Sequence, residues 1–175
     1  MRFGGIALAA VLMLGACSGD PTPKEPTGTA SKPTPTSTAT PPAMPDQAKE
    51  DSKEGAAAFV SHWVEASNYA AETGDVEQLS SLSSSGCGGC KTYIDLYRTT
   101  YDAGGYFRGG AWRTSDVEVA DAGESFIVRV TVSWAASKFK EHADDSEHIE
   151  GAGSDKLTFE VRDQRVIQLV LRSAE

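Results

Sequence analysis

The stretch FIVRVTVSW, residues 126–134, decides the fold class because apolar and polar side chains alternate along it. Val128, Val130 and Val132 would lie on one face of an extended strand, and the polar residues between them on the other. Such one-sided strands are typical of antiparallel sheets that are covered on one side. The sequence therefore predicts a sheet packed against another layer.

The chain around this strand supplies the rest of the sheet. Residues 156–162 alternate in the same way, and Asp163-Gln164 predicts a two-residue turn into 166–171, which is apolar on both faces. A weaker pattern predicts a strand at 112–119. These are about four strands, and the polar segment 138–155 is interpreted as a loop between two of them.

Helical patterns precede the strands. Apolar residues recur at three- and four-residue spacing over 47–72, a short second helix follows Asp75, and a third helix is predicted over 90–101. Helices followed by a run of strands predict an α+β fold. Three N-terminal helices would pack on a curved antiparallel sheet of about four strands.

The first twenty residues, MRFGGIALAAVLMLGACSGD, have the pattern of an export signal. Arg2 precedes a continuous apolar run, which is too short for a transmembrane helix. The run ends in LGAC, which resembles the lipobox of bacterial lipoproteins. That resemblance implies cleavage between Ala16 and Cys17 and a diacylglycerol, with palmitate-type acyl chains, on Cys17. The predicted location is the extracytoplasmic face of the cell membrane.

Three parts of the chain are predicted from composition. All eight prolines fall within residues 21–45, among Thr, Ser and Ala, which favours a disordered spacer or an O-glycosylated stalk. We therefore expect a signal peptide at 1–16, a lipidated cysteine with a disordered linker at 17–45, and one globular domain at 46–175. The formal net charge of −9 disfavours nucleic acid as a partner. Contact with the membrane is expected through the lipid alone.

Two family resemblances follow from these elements. The order of helices and strands resembles the nuclear transport factor 2-like superfamily, which implies a cone-shaped sheet around the helices. The run EGAAAFVSHWVEASNYAAETGDVEQLSSLSSSGCGGCKTYIDLY, residues 54–97, is similar to a family of actinobacterial lipoproteins of unknown function. The features that carry this similarity are Glu54-Gly55-Ala56, Asn68-Tyr69-Ala70, Gly74-Asp75 and the Cys87/Cys90 pair.

Cys87 and Cys90 allow three interpretations. A zinc site needs further cysteine or histidine ligands at suitable spacing, which the sequence does not offer. A thioredoxin-like centre would need a strand before the motif, and helices precede it instead. A structural disulfide in an oxidising compartment is the preferred interpretation. It would fix the Ser/Gly-rich loop and the start of the third helix.

A pocket inside the cone is the expected binding site. Aromatic residues concentrate on elements that should face it, although they would equally serve to fill a core. The candidate pocket residues are Trp63, Tyr93, Tyr97, Tyr101, Trp112 and Trp134.

Candidate acid–base residues are weaker. His62 and Glu65 lie beside the apolar stripe of the first helix and Asp95 and Asp102 lie on the third, so all four are interpreted as exposed positions on outer helix faces. The acidic segment around His142 and His148 is interpreted as a solvated loop rather than a metal site. No catalytic residue, metal or cofactor is predicted.

The preferred function is a lipid-anchored, non-enzymatic module that binds an envelope protein or a small apolar ligand. An enzyme of the polyketide-cyclase or isomerase type that uses the cone is the first alternative. A structural accessory of the cell envelope is the second. Two ionisable groups converging in the pocket would favour the enzyme, whereas an aromatic-lined pocket would favour the binder.

Overall fold

A computed structural model describes residues 39–172 of the chain. The predicted signal peptide, Cys17 and most of the predicted linker lie outside the described residues. Within the described range a 3₁₀ turn and three α-helices precede seven β-strands. The elements are the 3₁₀ turn Asp46–Lys49, α1 Lys53–Thr73, α2 Glu77–Ser81, α3 Gly88–Asp102, β1 Gly104–Gly109, β2 Arg113–Asp121, β3 Phe126–Trp134, β4 Ser137–His142, β5 His148–Glu150, β6 Gly153–Arg162 and β7 Arg165–Arg172.

The main sheet has four antiparallel strands in the order β2-β3-β6-β7. The alternating residues of β3 and β6 bury one face, as their sequences predict; Val128, Val132 and Phe159 are almost completely inaccessible. The β6–β7 turn lies at Asp163-Gln164, where both residues have positive φ, 50° and 52°. Positive φ at both central residues characterises the hairpin turn whose twist matches the strands. The α+β layout of three helices and antiparallel strands is confirmed.

A second sheet, in the order β1-β4-β5, was not predicted. The segment 138–155, interpreted as a polar loop, in fact contains nearly all of β4, then β5 and the first residues of β6. The interpretation was wrong because β4 and β5 are held by backbone hydrogen bonds to neighbouring strands while most of their side chains are exposed. An exposed strand needs no apolar alternation.

The first helix covers the main sheet. It begins later than expected, since Asp46–Lys49 forms a separate 3₁₀ turn. The Ser52 side chain caps α1 by accepting a hydrogen bond from the Gly55 N–H at 3.0 Å, and Gly74 ends it at φ 78°. Trp63 on α1 packs edge-on against Phe159 of β6, with ring centroids 5.3 Å apart. The core therefore lies between α1 and the four-stranded sheet.

The segment before α1 is docked on the domain. Ala48 is buried and Met44 packs against the core. The Gln78 side-chain amide donates to the Pro42 carbonyl at 2.7 Å, and that of Gln164 donates to the Lys49 carbonyl at 3.3 Å. Residues 42–49 are thus attached at the end of the main sheet that carries the β6–β7 turn.

Within residues 39–172, none of the helices combines the length and the apolar character that crossing a membrane requires.

Candidate functional site

The cysteine pair forms a disulfide, with a Cα–Cα distance of 5.3 Å between Cys87 and Cys90. Cys87 also caps α3, because its Sγ accepts a hydrogen bond from the Cys90 N–H at 3.2 Å. Both residues are buried, with at most 1% of either exposed. The prediction of a disulfide that fixes the start of the third helix is confirmed.

A cleft lies between α3 and the far end of the main sheet, opposite the β6–β7 turn. Its volume is about 280 Å³. Five aromatic residues are among those that line it, and we call it the aromatic cleft: Tyr93, Tyr97, Phe107, Trp112 and Trp134. The rings meet edge to face in the pairs Tyr93–Trp112, at 5.1 Å, and Tyr97–Phe107, at 5.6 Å. Such contacts hold each ring in a defined orientation.

Trp112 is positioned from the first helix. The Asn68 side chain accepts a hydrogen bond from the Trp112 N–H at 2.8 Å and donates one to the Trp112 carbonyl at 2.9 Å. One amide thereby satisfies both backbone groups of a residue 44 positions away. Asn68 was noted only as part of the family resemblance. No local pattern in the sequence indicates this contact.

Trp134 is positioned by its cross-strand neighbour. Gly153 pairs with Trp134, and a Cβ at position 153 would lie 2.6 Å from the indole ring. The indole N–H donates to the Gly151 carbonyl at 3.2 Å. The absence of a side chain at Gly153 therefore allows the indole to lie against β6, at the cleft wall.

Two carboxylates belong to the same cleft, those of Glu150 and Asp155. Asp155 pairs with Val132 on the inward-facing side of β6, two residues before the buried Leu157. The acidic segment had been interpreted as solvated throughout, and Asp155 departs from that. Extending the alternation of Leu157 and Phe159 back by one step would have found it.

The Tyr93 hydroxyl stays protonated in this setting. Burial, followed by the neighbouring Tyr97 and the Asp155 carboxylate, raises the pKa of Tyr93 to about 12. Burial also raises the pKa of Tyr97, whose hydroxyl lies 3.2 Å from that of Ser67. At neutral pH these phenols are hydrogen-bond donors rather than anions.

The other two predicted pocket residues lie elsewhere. Trp63 is completely buried in the core, where its indole N–H donates to the Ser83 hydroxyl at 2.9 Å. Tyr101 lines an adjoining hollow of about 650 Å³, and its hydroxyl donates to the Ala71 carbonyl at 2.8 Å. The structure thus brings together Tyr93, Tyr97, Trp112 and Trp134, and places Trp63 apart from them.

The predicted position of His62 was wrong. The ring is 1% exposed instead of lying on an outer helix face, and neither ring nitrogen has a hydrogen-bond partner within the described structure. Its Nδ1 lies 3.8 Å from the Glu65 carboxylate, too far for a hydrogen bond. Burial lowers the pKa of His62, an effect that the Glu65 charge opposes only partly. His62 does not line the aromatic cleft.

The remaining acid–base candidates are at the surface. Glu65 and Asp102 are exposed, and the partly exposed Asp95 forms ion pairs with Lys91 and Arg98 on α3. Among residues 39–172, no group of three or more His, Cys, Asp or Glu side chains is placed to hold a metal ion. Another hollow, of about 200 Å³, lies at the opposite end of the sheet beside Ala48 and Phe126.

Comparison with known protein families shows the family to which the chain belongs. The model of a family of unknown function, DUF6318, matches residues 28–165. Because this match spans most of the chain, the protein belongs to that family. The expectation of a family without a known function is confirmed, whereas its lipoprotein character and its actinobacterial origin stay predictions.

Solved structures add a likeness of fold. The intermembrane space region of the chloroplast protein ARC6 is similar with a TM-score of 0.51 and 13% identity, over 71% of this chain and 99% of that one. A candidate polyketide cyclase from Pseudomonas putida KT2440 gives a TM-score of 0.35 and 15% identity, over 65% and 90% of the two chains. The first likeness concerns the fold alone, and the second is too weak to define even that. No curated protein matches the chain.

Proposed function

We propose that this protein is a lipid-anchored, extracytoplasmic binding module that takes a small, largely apolar ligand into the aromatic cleft. The observation that carries the proposal is the wall of oriented rings, in particular Trp112 held by Asn68 and Trp134 held against Gly153. Side chains locked by neighbouring groups make a preformed site, which lowers the entropic cost of binding. The order of elements supports a nuclear transport factor 2-like cone as its architecture.

Ligand binding is tested with a neutral apolar probe, N-phenyl-1-naphthylamine, and protein labelled with ¹⁵N. The three tryptophan indole signals serve as separate reporters. We expect the signals of Trp112 and Trp134 to shift on titration, and that of Trp63 to stay, because Trp63 is enclosed in the core. Trp134→Ala should weaken binding about tenfold or more, since a buried aromatic wall contributes on the order of 1–3 kcal/mol.

The matched control for that variant is Ile149→Ala. Ile149 is 74% exposed and does not line the cleft, so its removal should leave affinity unchanged. Binding in the cleft would be contradicted if a saturating concentration of the probe left the indole signals of Trp112 and Trp134 unshifted. It would also be contradicted if both variants weakened probe binding equally.

Anchoring rests on the LGAC motif and has its own test. Cys17→Ser should prevent lipidation, and the protein should lose its membrane association or stay unprocessed. The lipidated peptide is sought by mass spectrometry in the wild type. A Cys17→Ser protein that is still trimmed after Ala16 and bound to membranes would refute the anchor without touching the cleft proposal.

An enzyme of the cyclase or isomerase type is a second candidate, favoured by one observation. Asp155 and the Tyr93 phenol, which its high pKa keeps protonated, lie in the same cleft, where the carboxylate would act as a base and the phenol as a hydrogen-bond donor. Ligand co-purified from the native host would then be converted to a product with a different NMR spectrum and chromatographic retention by wild-type protein but not by Asp155→Asn, whether or not its mass changes. Unaltered ligand after prolonged incubation with the wild type would leave binding as the function.

A further inference from the structure

The charged groups of the aromatic cleft have one sign. Its fifteen lining residues include two carboxylates, Glu150 and Asp155, and no lysine, arginine or histidine. Among residues 39–172 no basic side chain forms an ion pair with either carboxylate. Of the two carboxylates, that of Glu150 accepts a hydrogen bond from the Ser137 hydroxyl at 3.4 Å, a neutral partner that does not offset its charge. The cleft thus carries negative charge that its own walls leave uncompensated.

The aromatic rings add to the negative electrostatic potential in the cleft. The face of an indole or phenol ring carries negative electrostatic potential, which attracts a cation placed over it. Trp112 and Trp134 lie with centroids 6.5 Å apart and their planes tilted by 36°, and Tyr93 meets Trp112 at 86°. Rings at several orientations around one cavity, with carboxylates beside them, make an arrangement suited to alkylated ammonium groups.

A neutral apolar ligand would gain no electrostatic attraction from the negative potential of the ring faces and carboxylates. It would also reduce the hydration of the Asp155 carboxylate, which sits on the inward-facing side of β6, without providing a countercharge. An anionic ligand would be repelled by both carboxylates and by the ring faces. A cation with methyl or methylene groups satisfies the rings and the carboxylates together.

We propose that the ligand of the aromatic cleft is an organic cation, an amine or quaternary ammonium group bearing apolar substituents. This inference rests on the proposed binding function and specifies its ligand class. Trp112 and Trp134 form the ring walls, Tyr93 closes the α3 side, and Asp155 supplies the countercharge from the inward face of the sheet. Glu150 adds a second negative charge at the exposed rim.

The test compares choline with 3,3-dimethylbutan-1-ol, its neutral isostere, in which carbon replaces nitrogen. Both are titrated into ¹⁵N-labelled protein, with the indole signals of Trp112 and Trp134 as reporters and that of Trp63 as internal reference. We expect choline to bind on the order of tenfold tighter than the alcohol, since a desolvated cation–π contact and a nearby carboxylate both act on the charge alone. The preference should shrink as salt is raised, because Glu150 is exposed to screening.

Two variants test whether the Asp155 carboxylate is the source of the preference for a cation. Asp155→Asn keeps the shape of the side chain and should reduce the preference for choline severalfold, because it removes the countercharge for the cation and also the cost of desolvating that charge beside the neutral alcohol. Asp144→Asn makes the same change of charge on the β4–β5 turn, away from the cleft, and should leave the preference intact. Thermal melts establish that both variants are folded.

Failure of the organic-cation inference can be distinguished from failure of the proposed binding function. Equal binding of the two probes, or tighter binding of the alcohol, would overturn the organic-cation inference and leave the proposed function standing. A preference for choline that is equally reduced by Asp144→Asn would overturn it as well, because long-range charge would then be the cause. If neither probe moves Trp112 and Trp134, the inference fails, and the naphthylamine titration decides whether the binding function fails with it.

Discussion

Asn68 joins α1 to the residue that walls the cleft, so its amide is the most informative side chain to alter. Asn68→Ala removes both hydrogen bonds to the Trp112 backbone. We expect a loss of about 1–3 kcal/mol in the free energy of unfolding, the usual range when partly buried polar groups lose partners. The Trp112 indole signal should also broaden or move. Chemical denaturation and NMR measure the two effects.

A matched variant separates this bonding pattern from packing. Asn68→Asp keeps the acceptor for the Trp112 N–H but turns its other oxygen, which cannot donate, toward the Trp112 carbonyl. It should therefore be destabilising as well, despite its nearly identical size. Gln168→Ala, at an exposed position of β7, is the control and should change stability by less than about 0.5 kcal/mol. Equal stability of Asn68→Asp and wild type would contradict the two-bond role.

His62 predicts a pH dependence of stability. Burial lowers the pKa of the folded-state imidazole, so the ring in the folded protein stays neutral to a lower pH than the ring in the unfolded chain. The exposed ring of the unfolded chain binds a proton below about pH 6.5. As pH falls through that value the unfolded state takes up a proton that the folded state does not, and the free energy of unfolding decreases.

His62→Phe should flatten this acid-side decrease, because it removes the titrating group while keeping an aromatic ring in the core. The ring nitrogens lack partners, so the exchange should not cost stability at pH 7. The check is the pH dependence of urea unfolding between pH 7 and pH 5. His148→Gln, at an exposed position on β5, should leave the slope as in wild type; a parallel loss of slope in both would contradict the assignment to His62.

At the scale of the element, the start of α3 contains two adjacent glycines with opposite surroundings. A Cβ at Gly89 would overlap the Leu169 carbonyl of β7, whereas nothing lies within 4 Å of one at Gly88. Gly89→Ala should therefore cost about 1–3 kcal/mol through overpacking. Gly88→Ala, its neighbour, should be neutral or slightly stabilising because alanine is the better helix former. Thermal melts compare them, and similar melting temperatures would contradict close packing of α3 on β7.

The disulfide at the same helix start has two separable contributions. Cys87→Ser/Cys90→Ser should lose on the order of 1–3 kcal/mol from the short closed loop. Serine still caps the helix, so Cys87→Ala/Cys90→Ala should lose about 1 kcal/mol more. Secondary structure should survive in both, as circular dichroism would report. A double-serine variant that is as stable as wild type would contradict a stabilising role for the disulfide.

Elements with one buried face were predictable from the sequence, and elements with none were not. The alternation along Val128–Val132 and the Asp163-Gln164 turn predicted the main sheet, since burial imposes its period on the residues. β4 and β5 were missed because their pairing uses backbone groups, which every residue has. The sequence predicted that Tyr93, Tyr97, Trp112 and Trp134 lie together, but it wrongly added Trp63 and missed Phe107. Asn68 was not predictable, because its partner is set by the tertiary fold. His62 was misplaced because its ring is buried without partners, against the usual rule for polar groups.

For the whole molecule, the prolines of residues 21–45 predict where a protease cuts first. Brief digestion should cleave within that segment and leave a resistant fragment beginning between residues 39 and 42, since Pro42, Met44 and Ala48 are attached to the folded domain. Mass spectrometry of the fragment measures its start. Early cleavage inside α1 would contradict a docked first helix.

The docked residues 42–49 and the aromatic cleft occupy opposite ends of the main sheet. The first lie beside Phe126 and the β6–β7 turn, and the second beside Trp134 and Asp155, a separation of roughly 25–30 Å along a nine-residue strand. The chain therefore enters the folded domain at the end of the main sheet that is remote from the aromatic cleft.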